Sequence, residues 1–135
     1  MRVVVDTNVL ISAGLKADSA PRRAVLWVKA HGVLLKSEPT ELELRQTLLR
    51  PKLLHRAQVG GFLNELLALI ENAQPVDVVE TVRACRDSDD DKFLEVAING
   101  NADVIVTGDF DPLVLDPFRS IRILDPTGLL RSVGL

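Results

Sequence analysis

Residues 2–8 read Arg-Val-Val-Val-Asp-Thr-Asn, and residues 102–109 read Ala-Asp-Val-Ile-Val-Thr-Gly-Asp. In the first, the β-branched run Val3–Val5 ends on Asp6; in the second, Val104–Val106 stands three residues before Asp109. Short, uninterrupted apolar runs are the pattern of strands buried on both faces of a parallel sheet. Each run therefore predicts a strand that delivers a carboxylate at its C-terminal end. In open parallel sheets that edge is where ligands bind.

Outward from these two strands the chain alternates. Ser19 and Pro21 mark a helix start, with Ala24, Val25, Trp27 and Val28 as its apolar residues and Gly32 as its C-cap. Val33–Leu35 predicts a second strand, and Pro39 opens a helix carrying Leu44 and Leu48 that Pro51 stops. Val59, Phe62, Leu63, Leu66, Leu67 and Ile70 follow helical spacing, which predicts one helix over 56–72. Val76–Val79 is a further short strand in this reading, and Asp87–Asp91 leads into a helix with Phe93, Leu94, Ala97 and Ile98. Ile121–Leu124 completes the strands. Strand–helix alternation implies βαβ units and an α/β fold, a three-layer α/β/α sandwich around a mostly parallel sheet. There is no internal repeat, low-complexity segment or linker, so residues 1–135 are expected to form a single domain.

Composition narrows the function classes. The chain is 47% apolar and 26% charged, ordinary globular usage that excludes disordered and fibrous architectures. No apolar run reaches the roughly 20 residues of a membrane span, and the stretch before Asp6 is too short for a signal sequence, so a cytoplasmic location is expected. The single cysteine, Cys85, allows neither an internal disulfide nor a zinc cluster. The net charge of −3 conceals an asymmetry. Between Lys16 and Arg56 nine Lys/Arg face four Asp/Glu, whereas from Glu65 to Asp125 fourteen acids face five bases. A basic part suits an anionic polymer and an acidic part suits divalent cations, although solvated helix faces alone also produce such asymmetry.

Asp6 and Asp109 arrive at the same sheet edge, and a helix entry at Asp87–Asp91 can bring further acids there. Taken singly, each acid has an ordinary explanation as a helix cap or turn residue. Together they form a self-repelling cluster whose hard oxygen donors suit magnesium or manganese, and divalent-metal activation of water is its natural use. His31 and His55 are isolated and read as surface residues, and Trp27 and Cys85 read as packing.

The segments RVVVDTNVLISA (2–13), ELRQTLLRPK (43–52), CRDSDDDKFLEVA (85–97), ADVIVTGDFDPL (102–113) and IRILDP (121–126) resemble the PIN-domain family, the nuclease fold of many prokaryotic toxin–antitoxin toxins. The resemblance implies that Asp6 is the first acidic metal ligand, with Thr7 and Asn8 completing the signature. Glu43 is the second. The third falls at Asp90 or Asp91, with Asp90 preferred for its spacing to Leu94 and Ala97, and Asp109 is the fourth. Thr107 is a hydroxyl donor beside it and Asp111 an extra outer ligand. Glu43 rests on the resemblance alone, since Glu38 and Glu41 lie nearby; it shares a helix face with Gln46, Thr47 and Arg50. Arg45, Arg50 and Lys52, with Arg22, Arg23, Lys29 and Arg56 also in the basic part, are the candidate phosphate contacts.

These readings combine into one expectation: a Mg2+- or Mn2+-dependent ribonuclease that hydrolyses single-stranded RNA, the toxin of a pair, blocked by a small antitoxin protein and homodimeric. With four Phe, one Trp and no Tyr, base-stacking platforms are scarce. Two rivals stand beside it. A non-catalytic nucleic-acid-binding or interaction module would keep the fold without needing the full acid set. A phosphotransfer domain would use Asp6 as nucleophile and calls for a lysine after a late strand, which the segment from Ile121 lacks.

Overall fold

The computed structural model describes residues 1–108, 110–113 and 115–135, with side chains described at all of these except 54, 57–60, 110 and 111. Five parallel strands form one sheet in the order β3-β2-β1-β4-β5: β1 is Arg2–Val5, β2 Val33–Lys36, β3 Gln74–Pro75, β4 Val104–Val106 and β5 Arg122–Leu124. The α/β reading holds, and the sheet is wholly rather than mostly parallel. In register, Val3, Val4 and Val5 stand opposite Val104, Ile105 and Val106.

Alternation along these strands divides the core in two. Val3, Val5, Leu34, Val104 and Val106 face one layer of helices: α1 (Thr7–Leu15), α2 (Ala20–His31), α3 (Glu38–Leu48), α5 (Leu63–Glu71) and α8 (Pro126–Ser132). Val4, Leu35, Ile105 and Ile123 face the other, where α6 (Asp91–Asn99) packs Phe93, Leu94, Val96 and Ala97. Both faces of the central strands are covered, which is why Val3–Val5 and Val104–Val106 are apolar at every position.

Local chemistry sets most boundaries. Ser19 caps α2 by accepting a hydrogen bond from the Arg22 amide, and Gly32 closes the helix as expected. Ser37 and Thr40 form a capping box at the start of α3. Pro51 both follows α3 and opens α4 (Pro51–Gly60), whose first position suits proline.

Three expectations need correction. The single helix over 56–72 is two helices, α4 and α5, because Gly61 takes a left-handed backbone (φ 71°) that ends α4. Phe62 is then buried beneath the Arg22 guanidinium, 4.2 Å above its ring. The strand expected at Val76–Val79 lies instead at Gln74–Pro75, paired with Leu35 and Lys36. Val76, just past the end of that strand, packs against the core, and Val79 is 86% exposed. Helices α1, α7 (Phe110–Leu113) and α8 also occupy stretches to which the sequence pattern assigned no element.

Candidate active site

From β1 the chain builds outward through β2 to β3, then returns across the sheet to lay β4 on the other side of β1 and β5 beyond it. The winding direction reverses between β1 and β4, and the crevice beyond the C-terminal ends of two such strands is where open α/β sheets bind ligands. Asp6 and Thr107 are the first residues past these two ends.

Asp6 is 3% exposed and Thr107 1%. The Asp6 amide donates to the Val106 carbonyl at 2.9 Å, carrying the ladder one residue past the strand. Its carboxylate then joins two neighbouring elements. Oδ1 accepts the Asn8 amide at 3.0 Å as the N-cap of α1, and Oδ2 accepts the Thr107 hydroxyl at 2.6 Å. The capping role that any strand-end aspartate can play is thus real here, and it holds the group rigidly at the reversal point. Asn8 supports Asp6 through its main chain.

The acidic turn before α6 separates Asp90 from Asp91. Ser88–Asp90 form a single 3₁₀ turn and Asp91 begins the helix. Asp91 is 6% exposed, and its Oδ1 accepts the amides of Ala84 at 3.0 Å and Cys85 at 2.7 Å. It ties the incoming loop to the helix. Asp90 is half-buried one position earlier, and its carboxylate makes no cap hydrogen bond to α6.

Helix α6 enters at the sheet's C-terminal edge, since it follows β3 and leads back toward the start of β4. Lys92, in its first turn, forms an ion pair with Glu43 Oε2 on α3. This contact brings Glu43 to the entry of α6, within two residues of Asp90. Sequence reasoning did not single out Lys92, although it stands directly after three consecutive aspartates. Glu41, by contrast, turns toward Lys36 and Arg45; the Lys36 ammonium foremost holds its carboxyl below the usual range, in spite of a partial desolvation. Of the neighbouring acids, it is Glu43 that meets α6.

Among the basic candidates, Arg45 bridges Glu41 and Glu71 at 3.2 and 3.1 Å. Arg22 donates to the carbonyls of Ala13 and Gly14 at the end of α1. Arg50 and Lys52 are exposed where α4 begins and, with His55 and Arg56, line a shallow basic surface. Beside the strand ends, a cleft of about 390 Å³ runs between Asn8, Ser12, Pro21, Gly108, Pro126 and Thr127. Asp109 lies outside the described residues, as does the side chain of Asp111.

The donors these elements carry are carboxylates and a hydroxyl, hard oxygens of the kind that suits a magnesium or manganese ion. Among the described residues no three His, Cys, Asp or Glu side chains are grouped closely enough to hold a metal by themselves. Glu43 is paired with the Lys92 ammonium.

Comparison with known proteins agrees with the fold. The family model described as "PIN domain" matches residues 2–111. An uncharacterized protein of Methanocaldococcus jannaschii is 32% identical over 120 residues, spanning 85% of this chain and 75% of that protein.

Proposed function

The chain belongs to the PIN-domain family, and from that premise we propose that it is a Mg2+- or Mn2+-dependent ribonuclease hydrolysing phosphodiester bonds in single-stranded RNA, with residues 1–135 as one nuclease domain. The family is of nuclease type, its members typically hydrolases that use divalent metal ions on nucleic acid. The observation that carries the finer reading is the buried Asp6–Thr107 pair at the point where the sheet reverses.

In this reading Asp6, Glu43, Asp90 and Asp109 hold the metal and Asp111 is an outer ligand. A divalent ion so held would supply an activated water and neutralise charge on the phosphoryl oxygens. The chain's own contribution is to fix the acids. Thr107 and the Asn8 amide lock the Asp6 carboxylate, and Asp91 anchors the loop that carries Asp90. Arg50 and Lys52 lie on exposed surface suited to phosphates. Arg45, occupied by two carboxylates, is not assigned a substrate contact.

The biological role we assign is that of a cytoplasmic toxin, a homodimer blocked by a small antitoxin protein. Its support is the resemblance of the quoted segments to toxin PIN domains. Leu42 and Leu49, on and just after α3, are 53% and 70% exposed and offer apolar surface to a partner. Among the described residues no helix is long and apolar enough to cross a membrane.

The test of substrate class is release of labelled fragments from single-stranded RNA, duplex RNA and single-stranded DNA, with Mg2+, Mn2+ or chelator. Metal-dependent cutting confined to single-stranded RNA is the expected result. Cutting of DNA or duplex as readily would overturn the substrate class, and RNA binding without cleavage would favour the non-catalytic module.

A further inference from the structure

The ion pair of Lys92 is a site contact, among the described residues, that the proposed chemistry does not use. Its ammonium lies on Glu43, the acid proposed as second metal ligand, and it also stands 5.7 Å from the centre of the Phe93 ring. The pair is partly withdrawn from water, with the Lys92 side chain 20% exposed and that of Glu43 32%. It joins α3 to α6, the two helices that carry Glu43 and Asp90. A lysine that only solubilised the start of α6 would point to water.

We propose that Lys92 is a resident counter-cation that sets the metal affinity of this site: it holds Glu43 when no divalent ion is bound, and Glu43 must leave it to become a ligand. The inference rests on the metal-dependent reading above. Two effects act in the same direction. Breaking the ion pair is a cost charged to metal binding, and a fixed positive charge beside the acids opposes a second cation. In return, Lys92 offsets the mutual repulsion of acids brought to one edge, so the site stays assembled without its ion. The affinity of the wild-type protein is therefore tuned down, which makes occupancy responsive to the concentration of divalent ions.

The experiment is calorimetric titration of the full chain with MnCl2, comparing wild type, Lys92→Met and Lys92→Arg, with melting curves in chelator to show that each is folded. A partly screened pair of this kind corresponds to about a fivefold change in affinity. Lys92→Met is expected to bind Mn2+ about fivefold more tightly, while Lys92→Arg stays near wild type because its charge remains. Equal or weaker Mn2+ binding by a folded Lys92→Met, with wild type binding normally, overturns this inference and leaves the metal-dependent reading standing. Absence of Mn2+ binding by wild type removes both.

Discussion

Asp91 and Asp90 are adjacent acids with different work, and exchanging each for alanine should separate the two. Asp91 Oδ1 accepts two main-chain amides, from Ala84 and Cys85, in a place where the side chain is almost wholly buried. Hydrogen bonds to a charged acceptor contribute about 1.5–3 kcal/mol each. Because both fall on one oxygen they are not additive, and about 3 kcal/mol is a reasonable sum for Asp91→Ala. At about 2.1 cal/mol/K of unfolding entropy per residue, a chain of 135 residues should then melt about 10 °C lower. Asp90 is half-exposed and flanked by the like charges of Asp89 and Asp91, whose repulsion its truncation relieves, so Asp90→Ala should cost less stability than Asp91→Ala. The assay is differential scanning calorimetry of both variants at neutral pH, paired with RNA cleavage well below the lower melting point. Asp90→Ala should melt above Asp91→Ala and fail to cut. An Asp91→Ala protein that melts within about 2 °C of wild type would refute the reasoning, as would Asp90→Ala being the less stable of the two.

Three further outcomes follow from the same geometry. Thr107→Val removes the hydroxyl that donates to buried Asp6, leaving a carboxylate oxygen short of a partner; it should lower stability by about 1–3 kcal/mol in urea unfolding and reduce cleavage, with Thr107→Ser restoring both. A Cβ on Gly100 would lie 2.9 Å from the Val96 carbonyl oxygen and 2.9 Å from Val76 Cγ2. Gly100→Ala should therefore destabilise by about 1–3 kcal/mol, and an unchanged urea midpoint would contradict it. Asp116 is held below the ordinary aspartate value of 3.8, chiefly by the Arg122 guanidinium and next by the Ile123 amide. A lowered acid contributes stability that is complete above its unfolded value and is lost as pH falls through its folded one. Wild type should thus exceed Asp116→Asn in urea midpoint at about pH 6, with the advantage shrinking toward about pH 3; a gap that widens in acid would contradict the assignment.

Strands β1, β2, β4 and β5 could be read from sequence because burial on both faces leaves short apolar runs with sharp ends. Helix α1 could not, since Val9, Leu10, Ile11, Ala13 and Gly14 are all buried and leave little polar face to mark a helical period. Helix α8 is seven residues long, too short to show one. The apolar spacing from Val59 to Ile70 runs straight through Gly61, and periodicity cannot register a backbone that turns left-handed at one residue. At the site, Asp6 was legible because it directly follows a readable strand, whereas Thr107 was named through the family resemblance. Glu43 was not distinguishable from Glu41 by pattern; only the cross-helix contact with Lys92, against the Lys36 and Arg45 contacts of Glu41, tells them apart. Lys92 itself gave no signal, because an ion pair between α3 and α6 depends on how two helices meet.

The central claim is that the acids at the reversal point of the sheet cut RNA with a divalent ion, and Asp6 is its fixed member. The most direct measurement is fragment release from labelled single-stranded RNA by wild type and by Asp6→Asn, each in Mg2+, Mn2+ and chelator, at equal folded concentration. Asn keeps an oxygen for the cap, places an NH2 that can donate to the Thr107 hydroxyl where Oδ2 stood, and lacks the charge. The account predicts metal-dependent cleavage by wild type that chelator stops and Asp6→Asn lacks. Undiminished cleavage by a folded Asp6→Asn, or wild-type cleavage indifferent to chelator, would contradict it.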